Sequence, residues 1–316
     1  MFCDLHCDLL SYLALGPYKS AFDDECRASI GQHLDGGCLV QTCAISTATK
    51  KGSAAFGMKQ AKIYNALSEK YEGYFAPAVS QKKAKIKTLL AVENASSFFE
   101  EKEPLAKGIK RFEWLNSHVE KPLYLGLTWH YENRFGGGNQ TNVGLKKEGK
   151  ELLEALAGSV HAIDLSHTSD ALAYDLIDEI DRKKLPYKII ASHSNFRKVV
   201  PGQKRNLPDD LALEIKKRDG LIGLNGIHDF VGESINDFLL HVEHGLSLGL
   251  EDNLALGFDF FFEKKGVWRN SGHVLFFEGF ENSSCYKRLE KLLLSRFPKK
   301  IVEKIASKNF LRFTGI

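Results

Sequence analysis

The sequence predicts an α/β fold, a (β/α)₈ barrel of the TIM type, on three observations. Short β-rich runs recur eight times along the 316 residues, stretches of helical periodicity separate them, and most of the runs end in an ionisable residue. The runs cover residues 1–6, 38–45, 88–93, 123–129, 162–167, 188–193, 221–227 and 254–259. Helices are expected over 55–71, 146–157, 169–183 and 235–248, with a terminal helical region over 285–310. Strands that alternate with helices form parallel βαβ units, because a parallel connection needs a crossover that a helix supplies. Eight such units favour closure into a barrel over a doubly wound open sheet with two extra strands.

No Pro/Ser-rich linker or compositional break divides the chain, so a single domain over residues 1–316 is expected. Two irregular stretches are expected as loops on the open face of the barrel: 131–144, with Gly136-Gly137-Gly138, and 260–284, with Trp268, His273 and several phenylalanines. Long loops in compact domains tend to be functional. The glycine triplet has the wrong setting for a phosphate cradle and reads as a flexible loop.

Composition narrows the function. The chain is 43% hydrophobic and 26% charged, ordinary for a globular protein with a sizeable core. Its net charge of +3 is dispersed and its basic runs are short, such as Lys82-Lys83 and Lys299-Lys300, so a nucleic-acid partner is not expected. Neither a secretory signal nor a membrane-spanning run is visible, which reads as cytoplasmic. The 6 cysteines show no Cys-x-x-Cys spacing and are expected to be reduced, small apolar residues.

The strand ends carry the chemistry. In a parallel barrel all strand C-termini open on one face, where active sites are built. Strand one ends in His6, strand three in Glu93, strand five in His167, strand six in His193 and strand eight in Asp259. His6 and Asp8, two residues apart on a pleated strand, share a face and can grip one metal ion. His167 and His193 supply further nitrogen donors, and Glu93, with two oxygens, can bridge a second ion. Such a set suits Zn²⁺ best, while Mn²⁺, Co²⁺ and Fe²⁺ accept the same donors. A pair of ions sharing a water lowers its pKa and polarises a carbonyl, the device of many hydrolases. Asp259 can then take the proton from that water and pass it to a leaving amine.

Each residue also has a bland explanation. His167 and His193, each preceded by a serine, can be core histidines satisfied by backbone groups. Glu93-Asn94 can simply cap the next helix, and Asp259 can do the same. Those explanations require five coincidences on one barrel face, and the metal reading is preferred. His33, His118, His161 and His228 read as loop or surface residues, and His241 and His244 as one helix face.

With these segments in place, the chain resembles the membrane (renal-type) dipeptidase family of binuclear zinc metallopeptidases along nearly its full length. The resemblance is carried by Asp4-Leu5-His6-Cys7-Asp8, Leu90-Ala91-Val92-Glu93, Leu125-Gly126-Leu127-Thr128, Asp164-Leu165-Ser166-His167, Ala191-Ser192-His193-Ser194, Arg205-Asn206-Leu207-Pro208-Asp209, Gly257-Phe258-Asp259-Phe260 and Asn309-Phe310-Leu311-Arg312. It implies two Zn²⁺ ions per chain, one held by His6, Asp8 and Glu93 and the other by Glu93, His167 and His193. It implies Asp259 as the acid/base and Arg205 as the anchor for a substrate carboxylate, by bidentate pairing. The implied reaction is hydrolysis of dipeptides, with tolerance for a C-terminal D-residue. A homodimer is also implied.

Three departures bear on the substrate. Trp129 stands where the family carries a substrate-contacting histidine, and His130 follows it. Phe260-Phe261-Phe262 replaces Phe-Asp-Gly and removes a carboxylate, and Cys7 replaces a larger polar residue. No lipid-anchor signal is visible in residues 313–316, so a membrane anchor is not expected. Trp129 and the phenylalanine run motivate an alternative, a metal-dependent amidohydrolase acting on another small amide or an N-acyl amino acid. A silent binding protein is disfavoured, since an idle site has no need of costly buried charges.

Overall fold

Eight parallel strands form the expected barrel in a computed structural model that describes residues 1–263 and 274–316. The strands are β1 (Phe2–Cys7), β2 (Cys38–Ile45), β4 (Ile86–Val92), β5 (Tyr124–Gly126), β6 (Ala162–Asp164), β7 (Lys188–Ile190), β8 (Ile222–Leu224) and β9 (Leu254–Leu256); a short extra strand, β3 (Phe75–Pro77), pairs with β4. Their order is β7-β6-β5-β4-β2-β1-β9-β8. The circle closes between β7 and β8, where the Ala191 N–H donates to Leu221 O (2.9 Å) and the Gly223 N–H donates to Ala191 O (2.8 Å). Strands covered on both faces read as nearly continuous apolar runs, which is why β2 and β4 were legible at almost full length.

The later strands are shorter than expected, at three residues each for β5 to β9. Past those ends single bonds replace the ladder, such as Leu165 N–H to Ile190 O (2.8 Å) and Ser194 N–H to Gly223 O (2.7 Å). His167, His193 and Asp259 therefore stand beyond the strands, on the turns that follow them.

The helices are α1 (Leu9–Leu13), α2 (Ile30–Gly36), α3 (Ser53–Lys70), α4 (Leu105–His118), α5 (Lys147–Ala155), α6 (Asp170–Lys183), α7 (Asp209–Lys217), α8 (His228–Val231), α9 (Asp237–Ser247), α10 (Tyr286–Leu294), α11 (Lys299–Glu303) and α12 (Asn309–Thr314). In α6 the Ser169 hydroxyl accepts from Leu172 N–H at the first turn, and Leu172, Leu176 and Ile180 line one buried stripe. The expected terminal helical region is divided into segments: Pro298 lacks the N–H that continuation needs, and Lys304–Lys308 forms a π-helical turn. Cys3, Leu5, Val40, Ala162 and Ala255 cluster inside the barrel with Phe310 and Phe313 of α12. The Lys188 ammonium, at the start of β7, lies 4.8 Å from the Phe313 ring, so α12 stoppers the end where strands begin. The other end is left for polar groups. No helix among the described residues is long and apolar enough to cross a membrane. Six buried cysteines are all unpaired.

Two histidines depart from their expected settings or sharpen them. His33 was expected in a loop or at the surface, yet it is buried in α2, its Nδ1 2.9 Å from Ser29 O and its Nε2 3.1 Å from Gln41 Oε1. A satisfied ring on the inner helix face costs little to bury, and the short α2 gave too little periodicity to show it. His241 faces inward on α9: its Nδ1 accepts from the Phe196 N–H (3.2 Å) and its Nε2–H donates to Val231 O (3.0 Å). Both bonds need the neutral ring, and burial lowers its pKa from 6.5 to about 4. A depressed pKa stabilises the fold above the unfolded value, and that stability is lost as pH falls from 6.5 towards about 4. The loss is at most roughly 3 kcal/mol. Urea midpoints of metal-free His241→Gln should fall less between pH 7 and 4 than those of the metal-free parent, and parallel curves would refute the assignment.

Candidate metal centre

Five strand ends of the open face deliver the expected residues to one buried point. His6 lies within β1, and Asp8 lies between β1 and α1, as the residue that precedes the helix. Glu93 follows β4, while His167, His193 and Asp259 follow β6, β7 and β9. His6 Nε2 stands 3.8 Å from Asp8 Oδ1, 3.9 Å from Glu93 Oε1 and 3.5 Å from Asp259 Oδ1. Glu93 Oε1 is also 3.0 Å from His167 Nε2 and 3.6 Å from His193 Nε2, and those two nitrogens are 3.0 Å apart. Three donor triads result: His6–Asp8–Glu93, Glu93–His167–His193 and His6–His193–Asp259. Glu93 Oε1 faces His6, His167 and His193, while Oε2 accepts a hydrogen bond from Ser46.

The backbone is bent to achieve this. His167 has φ 67° and Asp259 φ 68°, a left-handed conformation that non-glycine residues adopt only when their surroundings impose it. Near Asp259 the chains press together, and a Cβ on Gly257 would lie 2.0 Å from Ser192 O. Bare hydrogen makes that approach possible.

Second contacts fix the imidazoles. His6 Nδ1 is 2.7 Å from the Tyr124 hydroxyl, which donates to Leu5 O at 3.0 Å. That hydroxyl has spent its proton, so His6 Nδ1 carries one and Nε2 presents a lone pair. His193 Nδ1 is 2.6 Å from Ser192 Oγ, whose hydroxyl donates to Asp164 Oδ2 at 2.5 Å, with the same consequence. Asn225 Nδ2 donates to Asp259 Oδ2 (3.1 Å). Tyr124, Ser46, Ser192, Asp164 and Asn225 were not anticipated from sequence. Each lies in or beside a strand, where a tyrosine or serine reads as core.

Burial dominates the electrostatics. It lowers His6, His167 and His193 well below 6.5, so all three rings are neutral and able to donate lone pairs. Burial, then Glu93 and Asp259, push Asp8 well up. Burial also raises Glu93, but its contacts with the His167 and His193 rings outweigh that and hold the carboxyl low. Burial and the Glu93 charge push Asp259 up to about 8. Three carboxyl groups thus crowd one largely buried pocket.

Those residues fit a bound metal. His6 Nε2 and Asp8 Oδ1 are buried without any hydrogen-bond partner, 3.8 Å apart. Two donors each about 2.0–2.1 Å from a tetrahedral ion would stand roughly 3.3 Å apart, close to the spacings found. Imidazole and carboxylate are the donors that zinc and its neighbours accept.

Around this cluster lie the other expected residues. Arg205 is buried; its Nη1 donates to Ser194 Oγ (2.7 Å) and its Nη2 to His193 O (3.0 Å), while Nε has no partner. Among the described residues it pairs with no carboxylate, so a buried cation is left for a ligand. His130 and Trp129 are half-buried, their rings 4.9 Å and 6.3 Å from that of His167. The loop after them is not the flexible one expected. Gly136, Gly137 and Gly138 are buried, and a Cβ on Gly138 would lie 1.9 Å from Trp129 O. Asn139 N–H donates to His167 O (2.8 Å), tying this loop to the donor cluster. The glycines serve close packing rather than freedom. In the second expected loop, Trp268 and His273 lie outside the described residues.

Comparison with known proteins agrees with the geometry. Residues 3–316 match the family model "Membrane dipeptidase (Peptidase family M19)". A metallopeptidase from Rhodobacter sphaeroides, solved with a phosphinate mimic of the dipeptide L-Ala-D-Ala, superposes with a TM-score of 0.80 at 17% identity, over 99% of this chain and 98% of that one. The probable dipeptidase PvdM from Pseudomonas aeruginosa gives 0.74 at 15% identity, over 99% and 94%. At those identities the likeness is one of fold. Among curated sequences, the dipeptidase tcpJ of Claviceps purpurea is 30% identical over 178 residues, 54% of this chain and 37% of that protein. An uncharacterised protein from the pqqA 5′ region of Klebsiella pneumoniae is 28% identical over 152 residues, 43% of this chain and 54% of that protein. The matches thus span about a third to a half of the curated relatives' length. The family model covers all but the first two residues, and the chain belongs to the membrane dipeptidase family, peptidase family M19.

Proposed function

We propose that the protein is a zinc-dependent dipeptidase with two ions per chain. The observation that carries this reading is the pair of donor triads sharing Glu93, with the unpaired Arg205 beside them. His6, Asp8 and Glu93 would hold one ion, and Glu93, His167 and His193 the other. Bound metal supplies a nucleophilic water near neutral pH and polarisation of the scissile carbonyl.

The chain's own residues do the rest. Arg205 receives the substrate's terminal carboxylate on its free Nε and remaining N–H groups, in a pocket dry enough to make the pairing strong. The carboxylate of Asp259 accepts a proton from the attacking water and returns it to the departing amine. Trp129 and His130, packed by the glycine triplet, wall the substrate's side. The dipeptide mimic bound by the Rhodobacter sphaeroides relative supports a substrate with a C-terminal D-residue.

The test is direct. Zinc-loaded protein should hydrolyse L-Ala-D-Ala, and a chelator should abolish turnover. The C-amidated dipeptide should lose at least about 100-fold in kcat/KM, the scale of a charge-assisted bidentate pair. Hydrolysis of N-acyl amino acids or other amides, with no dipeptide cleaved, would replace the substrate assignment. Absence of bound metal would remove the reading altogether.

A further inference from the structure

Asp164, the last residue of β6, is buried inside the barrel and belongs to none of the three donor triads. A buried carboxylate is costly unless every lone pair is used. Here Oδ1 accepts from the Ser166 N–H (3.0 Å) and the Ser192 N–H (2.8 Å), and Oδ2 from the Ser192 hydroxyl (2.5 Å). Through the Ser166 N–H this carboxylate thus holds Ser166, whose hydroxyl oxygen lies 3.4 Å from that of Ser192.

Two hydrogen-bonded chains end on it. In one, Ser192 Oγ gives its proton to Asp164 and so accepts from His193 Nδ1, 2.6 Å away. In the other, Arg205 Nη1 donates to Ser194 Oγ (2.7 Å), and that hydroxyl donates in turn to Ser166 Oγ (3.2 Å). Ser166 Oγ also accepts from the His193 N–H (3.1 Å). Among the described residues no cation stands within ion-pair distance of Asp164. Arg205 is reached through Ser194 and Ser166, and its charge is shared among Asp259, Asp164 and Glu93, with Asp259 foremost.

We propose that Asp164 is a positioning residue that orients two parts of the site at once: His193 through Ser192, and Arg205 through Ser166 and Ser194. The proposal rests on the metal and carboxylate roles given above. Along the first branch, the one-way donation fixes the His193 tautomer that leaves Nε2 free to bind metal. Along the second, it pins one edge of the guanidinium and leaves the Nε–H for the substrate.

The branches separate by experiment, with Zn²⁺ as the probe. Competition with a chromophoric chelator should show Ser192→Ala binding Zn²⁺ about 10–100-fold more weakly than the parent, the usual effect of removing such a contact. At saturating Zn²⁺ its KM for L-Ala-D-Ala should stay within about twofold of the parent. Ser194→Ala should do the reverse, keeping parental Zn²⁺ affinity while KM rises about 3–10-fold, the effect of one weakened hydrogen bond. Asp164→Asn should show both changes; if it fails to fold, the serine variants decide. Metal-free melting temperatures of the serine variants should match the parent's within a few degrees, a result a merely structural role would not give. Parental Zn²⁺ affinity in Ser192→Ala overturns the first branch, and parental KM in Ser194→Ala overturns the second. A parent that binds no Zn²⁺ overturns the metal reading and this proposal together.

Discussion

Asp259→Asn should lower the turnover of L-Ala-D-Ala by about 10²–10⁴-fold, the range by which a positioned acid/base accelerates a reaction. The amide is nearly isosteric and keeps an oxygen for Asn225 Nδ2, 3.1 Å from Asp259 Oδ2 in the parent. It cannot carry a proton between water and amine. Metal content should stay at the parental value, because His6, Asp8, Glu93, His167 and His193 are untouched. KM should change little, since Arg205 rather than Asp259 holds the substrate in this mechanism. Steady-state kinetics with metal analysis on the same sample checks all three points. Unchanged turnover would remove Asp259 from the proton path, and loss of metal would recast it as a ligand, as its place in the His6–His193–Asp259 triad allows.

Glu93→Gln carries the second large effect, and it falls on both ions at once. One oxygen, Oε1, lies 3.0, 3.6 and 3.9 Å from the reactive nitrogens of His167, His193 and His6. Removing its charge weakens both triads that contain it, whereas Asp8→Asn weakens only one. Metal affinity should fall at least about 100-fold at both positions, beyond the usual loss for an outer contact. Equilibrium dialysis followed by metal analysis should give fewer than one ion per chain. The metal-free variant should also melt above the metal-free parent. Glu93 pushes up both Asp8 and Asp259, so neutralising it relieves repulsion among three buried carboxyl groups. Two ions retained after dialysis would show that Glu93 is not the shared donor.

The barrel was legible because its pattern repeats: apolar runs at regular spacing, most with a polar terminus, need only the chain's local periodicity. The side chains that the structure brings together at His6, Glu93, His167, His193 and Asp259 were legible for the same reason. Equivalent strand ends meet in any parallel barrel. Tyr124 and Asp164 were hidden because their partners lie far along the chain, and a tyrosine or aspartate at a strand end shows nothing of the hydroxyl or imidazole it will meet. Strand lengths failed where side chain and backbone contacts replace the ladder, as at Leu165. Gly136–Gly138 were misread because glycine permits two opposite things, freedom and close approach, and only the neighbours at Trp129 and Val143 decide which.

Two left-handed residues, His167 and Asp259, have a consequence for how this protein can change. Each costs of order 1–3 kcal/mol that the rest of the fold must offset. Selection for heat resistance alone would draw glycine or asparagine to these positions, and would erase the chemistry as it strengthened the scaffold. Durability and activity here compete for the same two residues. A lineage that kept the barrel but lost its substrate would be expected to relax first at His167 and Asp259, while α12 and the packed strands persisted.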